Sequence, residues 1–410
     1  MVAAVFALSG CTGGSVDPAA RYDGVDAEVT GDPAAALQQV LVDAVALSGS
    51  SGGVASVSAP WAGDWSGAVG VVGFDEGAAT TTPDSRFRMA GVSSMVTCLL
   101  LMRLVDAGTV ALDDQVGQYV DDMPGLDGIT LEQLCSHESG LADYRPSLYA
   151  HFIHNPERVW SRIELISAGV ARDRVGAPGQ LYSYSDTGLL LLAVALERAS
   201  HRDWNDLVRQ YVLEPLDLED TELPAADTVA PDGVIGAYVS PPGADGAPDC
   251  AARVDDSRQS SSMGGEASGL VSSLDDAVVL AQANAGGALV GEHSYREQWA
   301  TELVPGAAPW VSQGIGGTQY GPLRGTASAT VGVLTAAFSD PETGLTVVIS
   351  VNNSSSGQDF IREASFALAS IASKLPAAEG QAQPLIELPW SVEQAREKMT
   401  QSARCSTPAA

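Results

Sequence analysis

The sequence predicts a mixed α/β plus α fold: an antiparallel sheet flanked by N- and C-terminal helices, with a mainly helical domain inserted between its parts. Three observations carry this. The first helix is followed at once by two strand-like runs. A long, mostly helical stretch with Pro- and Gly-rich loops occupies Thr130 to Glu214. A strand pair and a closing helix then return between Ala329 and Leu375. A chain of 410 residues has room for one large domain or two interlocked ones.

The elements follow in order. Asp32-Pro33 offers an N-cap and first-turn pair for an amphipathic helix over Ala34 to Leu47. Val54 to Pro60 and Ala68 to Phe74 have strand character, with a turn between them that carries Trp61 and Trp65 as packing residues. Met95 to Val105 is apolar almost all round, the pattern of a buried helix, and Asp106-Ala107-Gly108 ends it. Pro224 to Met263 is polar and turn-rich, so long loops are expected there; Leu274 to Ala285 returns to helix. Ala329 to Phe338 and Leu345 to Val351 form a hairpin across Asp340-Pro341-Glu342-Thr343-Gly344, and Phe360 to Leu375 closes the domain. The tail from Pro376 has linker character, with a short amphipathic piece at Ser391 to Arg404.

Composition narrows the function. At 45% hydrophobic and 18% charged residues the chain is globular. Its formal net charge of −30 excludes nucleic acid as an expected partner, because phosphate binding needs a basic surface. Lysine is absent from the first 373 residues; only Lys374 and Lys398 occur. The five histidines are scattered, and His151 and His154 lack an acidic ligand pattern, so no metal and no other cofactor is expected.

The N-terminus suggests export. Val2 to Leu8 is a short apolar run, and Leu8-Ser9-Gly10-Cys11 has the form of a bacterial lipobox, whose cysteine carries the lipid. The expectation is a lipoprotein on the outer face of the cytoplasmic membrane, attached through Cys11 alone. Domain boundaries follow: 1–11 as a signal-like segment, 12–32 as a flexible tether, 33–375 as the main domain and 376–410 as a tail. Within the main domain the sheet parts are expected at about 33–90 and 265–375, and the helical insert at about 91–264. Cys98 and Cys135 lie in apolar helical patterns, Cys250 and Cys405 in loop-like sequence. Four cysteines in an exported chain permit two disulfides in three connectivities.

Six strings in order give the fold a family. They are Phe87-Arg88-Met89-Ala90; Leu99 to Asp114; Ile129-Thr130-Leu131 through Ser136-His137-Glu138-Ser139-Gly140-Leu141; Pro178-Gly179 followed by Tyr184-Ser185-Asp186-Thr187-Gly188; Leu213-Glu214-Pro215-Leu216; and Ser268-Gly269-Leu270-Val271-Ser272. Together, across residues 35 to 375, the chain resembles the β-lactamase-related serine hydrolases: class C β-lactamases, DD-carboxypeptidases and esterases. The resemblance implies a β-lactamase/DD-peptidase-like fold.

It also implies three chemical motifs, and each is altered. The family's nucleophilic serine and its lysine three residues on fall at Gly91 and Ser94. Gly91 has no nucleophilic atom, and Ser94 cannot serve as a base at neutral pH. In the second motif Tyr184 remains, but the family's asparagine is Asp186, which loses two N–H donors and gains a charge. The third motif, a strand carrying Lys or His, falls at Thr326-Ala327-Ser328, with Arg324 the nearest cation. Without the two family cations, Tyr184 is expected to stay a neutral phenol, and an anionic acyl-D-Ala-D-Ala or β-lactam is disfavoured. One charge at ~4 Å matters by ~4 kcal/mol at an effective dielectric of about 20.

The expected function is therefore that of an inactive member, a pseudoenzyme with no catalytic residue. Tyr184, Asp186, Ser93, Ser94 and Arg324 are its candidate ligand-pocket residues. Its partner would be a cell-envelope protein, a peptide or a small ligand. The alternative is a serine hydrolase of carboxypeptidase, β-lactamase or esterase type with a displaced nucleophile at Ser93 or Ser94. His137 is expected to be structural.

Overall fold

The computed structural model describes residues 15–406. Its centre is an antiparallel sheet of eight strands: β1 (Gly52–Ala59), β2 (Gly63–Gly70), β3 (Glu302–Leu303), β4 (Val311–Gly314), β5 (Gly317–Tyr320), β6 (Leu323–Thr330), β7 (Val333–Ser339) and β8 (Thr346–Val351). Their spatial order is β2-β1-β8-β7-β6-β5-β4-β3, so the two ends of the chain meet where β1 pairs with β8. Val54 lies opposite Ser350 and Val57 opposite Val347 in that register.

The main helices are α1 (Gly31–Ser48), α2 (Ser94–Asp106), α3 (Leu131–Cys135), α4 (Arg145–His154), α5 (Arg162–Val170), α6 (Asp186–Ser200), α7 (Leu274–Gly286), α8 (Gly357–Ala372) and α9 (Val392–Ser402). Two cores lie on the two faces of the sheet. On one face, α2, α6 and α7 bury Met95, Leu99, Leu190 and Leu280 with Ala337 and Val348. On the other, α1, α8 and α9 bury Leu37, Phe366 and Met399 with Leu334, Phe338, Val347 and Ile349. Alternate residues of β7 and β8 thus serve different cores, which is why both strands are buried throughout.

Several boundaries differ from the sequence expectation. Thr30, not Asp32, is the N-cap of α1; Asp32 lies in its first turn, where its charge favours the positive helix end. The second strand starts at Gly63, so Trp65 lies within it. The expected strand over Ala329 to Phe338 is the end of β6, a turn at Val331-Gly332 and most of β7; Gly332 has φ +86°, which favours glycine. β4 and β5 were hidden by their glycines and short length.

The described parts of the segments expected to be a tether and a linker, 15–32 and 376–406, are packed. Tyr22 donates its hydroxyl to the Pro341 carbonyl, and the Val25 and Val29 amides bond to Pro60 and Asp64. In the tail, the Trp390 ring stacks on Phe366 with centroids 3.9 Å apart, and Met399 is buried against α8. Cys405 is disulfide-bonded to Cys250, and Cys98 to Cys135, one of the three connectivities open to the sequence. Cys11 lies outside the described residues. Among the described residues no helix is long and apolar enough to cross a membrane.

Candidate functional site

The short strand Phe87–Arg88 pairs with Val271–Ser272, and the Met89 amide donates to the Leu270 carbonyl. This pins the entry to α2. Ala90 then takes φ +51°, a left-handed conformation that costs a non-glycine residue of order 1 kcal/mol. A 3-10 turn over Ala90–Ser93 leads into α2 and places Gly91 against β6. A Cβ on Gly91 would lie 2.5 Å from Ser328 Oγ and 2.6 Å from the Tyr184 hydroxyl oxygen. The nucleophile position, the second-motif tyrosine and the third-motif strand therefore converge, as the register expects. Of the strand residues, Ser328 makes the approach; Thr326 is on the same face, two residues along.

Ser93 is fully buried, and its Oγ accepts the Leu270 amide at 3.3 Å. Ser94 is buried in the first turn of α2. Neither has a carboxylate, imidazole or amine as a hydrogen-bond partner among the described residues. Arg324 is not part of the site. Four residues along β6 from Ser328, it donates to the Tyr295 hydroxyl at 2.8 Å and lies over the Trp299 ring. At about 3.4 Å rise per residue, that separation is about 14 Å.

Tyr184 precedes α6, whose N-cap is Ser185. The buried His137 holds this segment: its Nδ1 accepts the Ser185 amide at 3.4 Å, and its ring lies 4.4 Å from the Tyr184 ring. Burial pushes His137 down to about 4, so it is neutral and structural. The Tyr184 hydroxyl is buried and, among the described residues, has no close hydrogen-bond partner, the Asp186 carboxylate being an acceptor in its surroundings. Burial, and after it the Asp186 charge, raise its pKa well above the usual phenol value. This is the opposite of what a general base requires.

Asp186 is fully buried, and its partner is a residue the motif comparison missed. Arg145 Nη1 lies 3.2 Å from Asp186 Oδ2. Arg145 Nη2 donates to the Ala329 carbonyl on β6, so this one side chain joins the helical domain to the sheet across the cleft. Ser268 Oγ donates to the same Asp186 oxygen at 3.2 Å. Burial works against the charge on Arg145, but the facing Asp186 carboxylate raises its pKa. Asp143 accepts the Arg145 amide at 3.1 Å, and its own pKa is raised by burial and by Asp186. The expectation of a site without a cation is thus corrected: a guanidinium from the start of α4 stands beside Asp186. The signal was available in sequence, because a buried aspartate in place of asparagine requires a counter-charge.

A cavity of about 30 Å³ lies beside Arg145, Ser268 and Thr330 and is not lined by Gly91 or Tyr184. That is roughly one water molecule's share of liquid volume. Among the described residues no group of three or more His, Cys, Asp or Glu is placed to hold a metal ion.

Comparison with known proteins agrees with the fold. The family described as Beta-lactamase matches residues 45–370. The D-alanyl-D-alanine-carboxypeptidase/endopeptidase AmpH of Escherichia coli (strain K12) is 33% identical over 147 residues, 34% of this chain and 37% of that protein. Penicillin-binding protein 4* of Bacillus subtilis (strain 168) is 27% identical over 140 residues, 34% of this chain and 31% of that one. The chain thus spans about a third of these relatives' length. Among solved structures, a D-stereospecific amidohydrolase from Streptomyces sp. superimposes with a TM-score of 0.71 at 24% identity, over 81% of this chain and 98% of that one. The octameric penicillin-binding protein homologue from Pyrococcus abyssi gives 0.67 at 21%, over 83% and 78%. These two likenesses concern the fold.

Proposed function

The chain belongs to the β-lactamase family, and from that premise we propose that it is a catalytically silent member that acts by binding in the cell envelope. One observation carries the proposal: the volume that a nucleophile's Cβ would need at position 91 is taken by Ser328 Oγ and the Tyr184 hydroxyl. The site lacks a nucleophilic atom at Gly91, and its walls have closed on the gap. Ser94 in place of lysine, a tyrosine with a raised pKa and an arginine clamped on Asp186 all support the same reading. Acyl transfer needs a nucleophile with an adjacent base; Gly91 offers no nucleophilic atom, and Ser93 and Ser94 have no carboxylate, imidazole or amine as a hydrogen-bond partner among the described residues.

The Leu8-Ser9-Gly10-Cys11 string supports lipid attachment at Cys11 and a place on the outer face of the cytoplasmic membrane. Intact mass of detergent-extracted protein tests this: a diacylglyceryl mass on Cys11 is expected, and an unmodified cysteine overturns it. With the old cleft closed, binding of an envelope protein or peptide falls to the outer surface.

Incubation with a penicillin and with a fluorophosphonate, followed by intact mass, tests the loss of catalysis. No adduct is expected. A stoichiometric adduct on Ser93, Ser94 or Ser328 would establish a displaced nucleophile and with it the hydrolase reading that the peptidase relatives suggest.

A further inference from the structure

A second cavity lies in the helical domain, away from Gly91 and Tyr184. Its volume is about 240 Å³; its apolar walls are Trp160, Leu165, Leu190, Leu223 and Pro224, and Asn205, Ser261 and Ser262 are its neutral polar ones. This is room for about eight water molecules at ~30 Å³ each, hence for a compact organic molecule. The only charged groups lining it are Arg162 and Glu266. They do not balance. Arg162 Nη1 is already 2.5 Å from Glu197 Oε2, while its Nη2 donates to Glu266. Two carboxylates therefore share one guanidinium. Glu197 has a further tie, accepting the Trp204 amide at 2.9 Å. Glu266 is the deeper of the two, with its side chain 6% exposed. Two carboxylates against one guanidinium leave an excess of negative charge at one end of a chamber whose other walls are part apolar and part neutral polar, although burial raises the Glu266 pKa.

We infer that this cavity is a binding site for a small organic amine with an apolar body. The ammonium group meets the shared charge at Glu266, and the hydrocarbon part packs on Trp160, Leu165, Leu190 and Leu223. A carboxylate ligand meets a negative end, and a neutral one leaves the excess charge unmatched. The site uses none of Gly91, Ser93, Ser94 and Tyr184, so it stands whether or not the protein turns over any substrate.

The test is calorimetric titration of the full chain with three probes of one shape: phenethylamine, 2-phenylethanol and phenylacetate. Saturable binding of phenethylamine is expected, with 2-phenylethanol about tenfold or more weaker, the factor that a charge-assisted hydrogen bond supplies, and phenylacetate not bound. Glu266→Gln removes the preference for the amine over the alcohol. Ala226→Phe fills the cavity from its rim and abolishes binding of every probe, with thermal unfolding as the check that the chain is folded. Absence of amine binding, equal binding of all three probes, or unchanged binding to Ala226→Phe overturns the proposal. If Glu266→Gln does not fold, the probe series and Ala226→Phe decide the matter.

Discussion

Arg145 and Asp186 form an ion pair, Nη1 to Oδ2 at 3.2 Å, at the point where the family's second motif faces its third. Asp186 is fully buried, and the Arg145 side chain is 20% exposed. A buried pair of this kind adds little net stability, but removing one partner strands the other. Asp186→Asn restores the family's residue and still is expected to destabilise the chain, by about 3–5 kcal/mol. Urea unfolding measures this, and in a double-mutant cycle the loss in Arg145→Met/Asp186→Asn should be smaller than the sum of the singles.

Gly91→Ala adds one carbon where Ser328 Oγ would be 2.5 Å away. Overpacking of this size is expected to cost about 1–3 kcal/mol. Ser328→Gly in the same chain removes one of the two obstructing groups and should recover part of the loss. Equal stability of Gly91→Ala and the parent in urea would mean that the site is open.

The pH dependence follows from two buried aspartates. Burial raises Asp256 to about 7, and Asp143 is raised by burial and by Asp186. A carboxylate whose folded pKa exceeds its unfolded value of about 3.9 binds protons more tightly when folded. Its contribution is full below about pH 4 and is lost as the pH rises to about 7. His137, lowered to about 4, works the other way between its unfolded value of about 6.5 and pH 4. Two aspartates against one imidazole predict a higher Tm at pH 5.5 than at pH 8. Asp256→Asn should flatten that slope, and an unchanged slope would remove Asp256 as its source.

The Cys98–Cys135 disulfide joins the nucleophile helix α2 to α3, just before His137, across 37 residues. In the chain-entropy account a loop of that size contributes about 4 kcal/mol. Cys98→Ala/Cys135→Ala should lower the urea midpoint accordingly. Because His137 positions Tyr184, the loosening should reach the cleft first and appear as faster amide exchange at Ser185.

Much of the fold was legible because the apolar patterns are strong. The all-round apolar run of α2, the α8 helix and the β8 strand are each visible locally. What was misjudged depended on long-range contacts. The Tyr22 hydroxyl finds its acceptor at Pro341, and Trp390 finds its stacking partner at Phe366. Both segments are polar or Pro-rich in themselves, so they read as tether and linker. Arg324 was included because it is close to Ser328 in sequence. The strand extends away from the site, and its side chain turns to Trp299 instead.

By itself the sequence put Gly91 and Ser94 where the resemblance to the family expects a nucleophile and a lysine, because the identity of a residue needs no fold to be read. It determined the order of the elements too, since helix and strand periods are local. Only the tertiary structure decided that Ser328 and Tyr184 close over Gly91, and that Arg145 supplies the charge Asp186 requires. Those facts concern groups 41 to 237 residues apart in the chain, counted from 145 to 186 and from 91 to 328. Charge neutralisation and close packing act through space, and only the folded chain sets which groups share it.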